Sequence, residues 1–270
     1  MLVWLFRHHQ LRKGSLLGSV NPIDVLQLLY FFSLCKVKKV LMAFSFAFFI
    51  LCAPVFQVLS SNVNNRQEAA KYRLQGLEYQ SSGKLDLAIK AMKKSVQLDP
   101  ANAIGKINLG WALHLASRDK QAKVILEQAV QEHPQSLEAL NALGIVYLVT
   151  GDLSKAVLTH NKAIELEPKD EIAHYNLSLA YHLLAKYDQG IAEGLTACRL
   201  EPNNPHPKLA VSLNLSSKGD RVKSRFYYRL AINLDERYRN SGYLDQLKRA
   251  GFSRKQIEQL RRILGNLDLI

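Results

Sequence analysis

A 34-residue interval runs through the middle of this 270-residue chain. Gly76, Gly110 and Gly144 stand one interval apart, and Ser178 and Ser212 continue the series. Prolines and alanines recur at the same interval, namely Pro100, Pro134, Pro168 and Pro202, and Ala129, Ala163, Ala197 and Ala231. A fixed period of this length indicates a solenoid, in which each unit buries its apolar face only against its neighbours. The pattern therefore favours a binding scaffold over a catalytic cleft.

Five consecutive units fit the interval without an insertion: 69–102, 103–136, 137–170, 171–204 and 205–238. In each unit, small residues on a first predicted helix match small residues on a second, so that the two can pack closely. Gly83, Gly151 and Gly219 fall at the turn between these helices, where a positive φ costs glycine nothing. A proline after each of the first four second helices ends that helix. The sequence predicts an all-α fold of stacked helix–turn–helix hairpins.

The third unit carries the clearest signature, formed by Leu140, Leu143, Gly144, Tyr147, Ala156, Ala163 and Pro168. This pattern resembles the tetratricopeptide repeat family. The fourth unit departs from it with Ser178 and Gly190, and the fifth with Glu236 in place of proline. The resemblance covers residues 69–238 and implies a right-handed superhelix, with a concave groove that is lined by the first helices.

The resemblance also implies a binding groove. In the family, position nine of each unit points into the groove, and here that position is apolar in every unit. The candidate partner-binding residues are Leu77, Asn108, Trp111, His114, Asn141, Ile145, Leu148, Asn176, Leu179 and His182. A large apolar surface usually marks a binding site, which predicts capture of a protein segment, most simply a helix or strand. The alternative is a groove that fills itself or packs on a second copy, so a homo-oligomer is a further option.

The basic character of the chain is concentrated at its ends. The formal net charge is +13, yet residues 69–204 contain 15 basic and 15 acidic residues. Residues 205–270 contain 14 basic and six acidic residues, which could form a docking surface for an acidic partner. Aromatic residues 226–228 lie between Arg225 and Arg229, a mixture that can bind single strands. On a helix, part of that cluster must face the core, so we expect no nucleic acid partner.

Motifs for catalysis and for metal binding are missing from the sequence. The chain has no glycine-rich phosphate loop, nucleophile elbow or paired-carboxylate motif. His114 and His182 would be the titratable candidates of an enzyme that worked in the groove, but no cysteine or carboxylate completes a ligand set at motif spacing. We expect a non-catalytic protein without a cofactor or a metal.

An apolar stretch precedes the repeats. Residues 40–59 follow a basic cluster, and a stretch of about 20 residues is long enough to span a bilayer. The basic flank predicts a single-pass membrane protein whose repeats lie on the extracytoplasmic side; the alternative is a cleaved signal and an exported protein. Residues 1–39 form a basic N-terminal stub, unless the true translation start lies further along. Residues 60–68 are predicted to be a polar linker.

The last part of the chain, residues 239–270, is predicted to form a helical cap outside the repeat register. Ser253 and Gln256 fit a capping box, and Ile257, Leu260 and Ile263 form one apolar stripe. A solenoid needs such a cap over its last unit. The sequence therefore predicts an interaction scaffold or assembly factor near a membrane. The alternatives are an assembly factor for a photosystem or another membrane complex, and an exported repeat protein.

Overall fold

The computed structural model describes residues 63–267, and residues 64–267 of these belong to one compact unit. The regular structure of this part of the chain is helical. Helix α1 covers residues 63–81. The other helices of the repeats are α2 Leu85–Leu98, α3 Ala103–Leu115, α4 Asp119–Glu132, α5 Leu137–Thr150, α6 Leu153–Leu166, α7 Glu171–Leu183, α8 Tyr187–Leu200, α9 Pro205–Lys218 and α10 Arg221–Leu234.

Consecutive helices pack against each other from α2 to α10, and α1 contacts α2 at Gly76 and Ala69, which confirms the predicted stack of hairpins. Each odd-numbered helix is the first of a pair and each even-numbered helix is the second. The first helices of neighbouring pairs also contact one another, as α5 does with both α3 and α7. The buried residues form an almost continuous apolar core that extends from α2 to the end of the described chain. This arrangement is the superhelix that the sequence predicts.

The ends of the helices follow the same 34-residue interval. Four first helices begin at a residue whose side chain accepts a hydrogen bond from the first turn: Asn102, Ser136, Asp170 and Asn204. The turn inside each pair has a positive φ. Gly83, Gly151 and Gly219 supply it as predicted, whereas Ser117 and Ala185 adopt a φ of 57° in the second and fourth pairs. The repeat therefore imposes this turn even where a side chain makes it costly.

Close contact between the paired helices explains the small residues of the repeat. A Cβ atom at Gly144 would overlap the imidazole of His160 on α6, a ring that is fully buried. The fourth and fifth pairs replace this glycine by serine and join their helices through hydrogen bonds. The Ser178 hydroxyl donates to the Gly190 carbonyl at 2.6 Å, and the Ser212 hydroxyl donates to the Ser224 carbonyl at 2.9 Å. The helices thus approach closely in every pair, by two different means.

The last pair is followed by two 3-10 helices, Glu236–Arg239 and Tyr243–Ala250, and by helix α11, Arg254–Gly265. The predicted capping box is present, because the Ser253 hydroxyl accepts from the Gln256 backbone and the Gln256 side chain accepts from the Ser253 backbone. We call residues 240–267 the C-terminal segment. It packs on α9 and α10, as a cap would, but it also extends back over earlier helices. The sequence did not predict this second contact.

Two expectations about the N-terminal part are corrected. Residues 63–68 belong to α1 and are not a linker, because Arg66, Gln67 and Glu68 are good helix formers that continue the helix outward from buried Ala69. No helix within residues 63–267 is long and apolar enough to cross a bilayer, so the predicted single-pass location is wrong for this part of the chain. Residues 1–39 and 40–59 lie outside the described residues. The exported alternative stays a prediction.

Candidate functional site

Five apolar residues occupy the same repeat position, one on the side of each first helix: Leu77, Trp111, Ile145, Leu179 and Leu213. We call this surface the first-helix face. One of these residues comes from each pair, at the 34-residue interval, so the first helices present them in one row. The exposure of these five side chains changes along the row. Leu179 and Leu213 are completely buried, Trp111 and Ile145 are partly buried, and Leu77 is 39% exposed.

The C-terminal segment buries the row where it crosses α7 and α9. The Gln256 side-chain amide donates to the Leu179 carbonyl at 3.0 Å, and the Gln259 amide donates to the Ser217 hydroxyl at 2.8 Å. Ile257 and Leu260 on α11 are at most 1% exposed, so the apolar stripe of this helix lies against the repeats. An amphipathic helix of the chain itself therefore occupies this part of the face.

The turn before α11 extends the cover toward the middle of the face. The Tyr175 hydroxyl donates to the carbonyl of Ala250, directly before the turn. An added Cβ at Gly251 would lie 3.2 Å from the Asn176 amide oxygen and 3.6 Å from Leu148. Phe252 is 2% exposed and shares a shallow depression with His114. The cover thus reaches the ends of α3 and α5.

The first-helix face is open on α1 and on the first turns of α3. Ile104, Asn108, Trp111 and Leu115 are spaced 4, 3 and 4 residues apart and so share one side of α3. Ile104 is 58% exposed, and the other three are partly buried. On α1, Leu74 is 68% exposed beside Leu77. This part of the face is apolar and has no cover from the described C-terminal segment.

The histidines of the face are held by neighbours. His182 Nε2 lies 3.0 Å from the Ser217 hydroxyl, and its Nδ1 lies 3.3 Å from the Gln256 amide nitrogen. Burial lowers the pKa of His182 to about 4, so the ring is neutral near pH 7. His114 Nδ1 pairs with Asp119 at 2.7 Å. Within residues 63–267, no cluster of three or more histidine, cysteine or acidic side chains could hold a metal ion.

The predicted groove residues thus fall into two groups. Leu77, Asn108 and Trp111 lie on the open part of the face, and Ile145 stands at the border. His114, Asn141, Leu148, Asn176 and Leu179 are buried, and His182 is partly buried beneath the C-terminal segment. Their role in binding a partner stays a prediction. Sequence reasoning missed the occupant of the face, although the apolar stripe of α11 was a signal that this helix needs a partner surface.

Comparisons with known proteins agree with this architecture. Two protein-family models, both described as "Tetratricopeptide repeat", match residues 72–102 and 116–177. The protein y4yS of Sinorhizobium fredii is 27% identical over 104 residues, which are 38% of this chain and 57% of that protein. The human protein O-mannosyl-transferase TMTC1 is 30% identical over 163 residues, which are 59% of this chain and 18% of that protein. The chain spans only part of these relatives, and no activity carries over from them.

Among solved structures, the thermophilic repeat protein TTC0263 of Thermus thermophilus superposes with a TM-score of 0.58. The alignment covers 75% of this chain and 100% of that one at 17% identity, a level that establishes the fold alone. Proteins of this type generally mediate protein–protein interactions. The matched residues and the consecutive packing of the helix pairs show that the chain contains tetratricopeptide repeats.

Proposed function

We propose that the chain is a non-catalytic scaffold that binds a helix of another protein along the open part of its first-helix face. The observation that carries this proposal is the position of α11, an amphipathic helix that lies on the adjacent part of the same face. Helix-in-groove recognition uses this geometry, in which an apolar stripe lies along an apolar surface. The repeat places equivalent residues on α1 and α3, and in the described part of the chain these have no such cover.

The exposed apolar side chains on the open part of the face favour a partner helix over a short peptide. Leu74, Leu77 and Ile104 are between 39% and 68% exposed, and Trp111 adds an aromatic side chain beside them. Burying a large apolar side chain contributes about 1.5–3 kcal/mol, whereas association costs about 4–15 kcal/mol. Three or four such anchors contribute about as much as that cost. A partner with several turns of amphipathic helix, which adds its own apolar area, meets this requirement.

Site-specific photo-cross-linking in the native host tests the proposal. A photoreactive phenylalanine analogue at Leu77 on α1 should cross-link to a discrete protein. The matched control places the same analogue at Leu158 on α6, a second helix, where the side chain is 73% exposed. The proposal requires the Leu77 product to be absent from the Leu158 variant, because only Leu77 lies on the first-helix face.

A pair of substitutions distinguishes binding at this face from nonspecific binding. Ile104→Asp places a charge on the open part of the face, at a side chain that is 58% exposed, and should abolish the Leu77 cross-link. Val222→Asp makes the same change at a 72% exposed position on α10 and should leave the cross-link intact. Thermal unfolding of both variants checks that the fold is retained. Equal loss with both variants, or a cross-link unaffected by Ile104→Asp, would contradict the proposal.

A further inference from the structure

Three arginines line one open depression of about 610 Å³ between the last repeat and the C-terminal segment. Arg221 and Arg225 come from the first turns of α10, and Arg262 comes from α11. Ser216, Gln259 and Asn266 also line the depression. None of its lining residues is acidic. The site thus combines two elements that lie far apart in the sequence.

Several other basic side chains of the same region are paired with carboxylates. Lys223 pairs with Asp220 at 3.1 Å, Arg261 pairs with Asp245 at 3.0 Å, and Lys218 pairs with Asp188. Arg221, Arg225 and Arg262 form no ion pair with any carboxylate of residues 63–267. Three like charges around one depression repel one another, because water screens them only in part. A bound anion would remove this repulsion.

We infer that this depression, the triple-arginine site, binds a phosphate dianion. A guanidinium group offers two parallel N–H donors that match the oxygens of phosphate. Three such groups suit a doubly charged anion with three free oxygens, whereas one carboxylate would offset a single positive charge. Gln259 and Asn266 already donate to Ser217 and to the Arg262 carbonyl, so the arginines are the principal donors. The phosphate belongs to a phosphorylated protein side chain or is a free phosphate.

Anion binding at the triple-arginine site is coupled to the C-terminal segment. Arg221 and Arg225 are fixed to the last pair, while Arg262 moves with α11. A dianion bound by all three therefore holds α11 against α10. By linkage, a ligand that needs the docked segment also stabilises the docked segment. The inference does not depend on the proposed partner helix, since the site is formed by α10 and α11 and lies outside the open part of the first-helix face.

Calorimetric titration of the full chain at constant ionic strength tests the inference. The probes are inorganic phosphate, acetate, and one peptide in its phosphoserine and unphosphorylated forms. We expect phosphate or the phosphopeptide to bind, and Arg225→Gln to weaken that binding about tenfold or more. Arg199→Gln on α8 is the matched control. It makes the same charge change at an exposed side chain outside the site and should alter affinity less than about twofold.

The outcomes divide clearly. Tighter binding of the phosphopeptide than of inorganic phosphate supports the site and assigns it to a phosphorylated protein, while equal binding supports it and assigns it to the free anion. Hydrogen exchange adds a readout of the linkage, because the bound anion should slow exchange in α11 and leave α1 unchanged. Equal affinity for acetate and phosphate, equal binding of the two peptide forms without any binding of inorganic phosphate, or equal weakening by Arg225→Gln and Arg199→Gln would overturn the inference. Absence of binding by every probe would also overturn it.

Discussion

The two ends of the first-helix face carry the same repeat position in different surroundings. Leu77 on α1 is 39% exposed, whereas Leu179 on α7 is completely buried, although the two residues are identical and three intervals apart. The difference arises from the C-terminal segment, which covers α7 and α9 but leaves α1 open. A position in a repeat therefore determines the direction of a side chain, and another part of the chain determines whether it is buried.

The covered end shows why the C-terminal segment lies where it does. Helix α11 has an apolar stripe that includes Ile257, Leu260 and Ile263, and a lone helix cannot bury such a stripe. The first-helix face presents the complementary apolar surface at Leu179 and Leu213. Packing the two together removes both from water. Within residues 63–267, the open end at α1 and α3 has the same chemistry without a helix of the chain packed on it, which is why it is the better candidate for an external partner.

The largest expected contrast is between leucines at the same repeat position. Leu179→Ala should lower the free energy of unfolding by about 2–5 kcal/mol, because it leaves a cavity beneath the C-terminal segment. Leu77→Ala should lower it by less than about 1 kcal/mol, since that side chain already contacts water. Urea unfolding of both variants measures the difference. Similar losses at the two positions would show that the C-terminal segment does not cover Leu179 in solution.

A smaller loss of stability is expected when the Gln256 side-chain amide, which joins the C-terminal segment to the first-helix face, is removed. Gln256→Ala removes the bond to the Leu179 carbonyl and half of the capping box of α11, which should cost about 1–3 kcal/mol. Glu258→Ala is the matched control, because this exposed residue on the same helix makes a surface ion pair with Arg261.

Hydrogen exchange distinguishes local from global loss in these variants. Gln256→Ala should speed exchange in α11 more than in α5, whereas Glu258→Ala should change neither by a comparable amount. Uniformly faster exchange throughout the helices of the Gln256→Ala variant would mean that this amide supports the whole fold, and that the covered and open ends do not differ in this respect.

Much of the fold could be predicted because its causes are local and repeated. The turns at Gly83, Gly151 and Gly219 and the capping box at Ser253 depend on backbone conformation and on neighbours within a few residues. The cover over Leu179 depends on Gln256, 77 residues further along, and no local pattern separates Leu179 from its equivalents. The triple-arginine site could not be predicted for the same reason, because Arg225 and Arg262 come together only once α11 has docked. The docking of the distant C-terminal segment on the repeats is therefore the part of the fold that the sequence did not predict.

The smallest expected effect concerns pH and the covered end. Burial lowers the pKa of His182 to about 4 in the folded chain, against an ordinary value near 6.5. The folded state therefore favours the neutral ring, and its contribution to stability is present above pH 6.5 and declines as the pH falls toward 4. Between pH 7.5 and 5.5 the wild-type chain should lose about 1 kcal/mol through this residue.

A neutral substitution isolates the contribution of His182 from those of His160 and His206, whose pKa values burial also lowers. His182→Gln should flatten the pH dependence of the urea midpoint by about the amount assigned to the ring. Exchange in α11 should show the same change, because opening of this helix releases the ring from the Gln256 amide at 3.3 Å and lets it take up a proton. Helix α1, which has no contact with His182, provides the internal reference. An unchanged pH slope in α11 after the substitution would place the acid sensitivity elsewhere and would remove His182 from the docking of the segment.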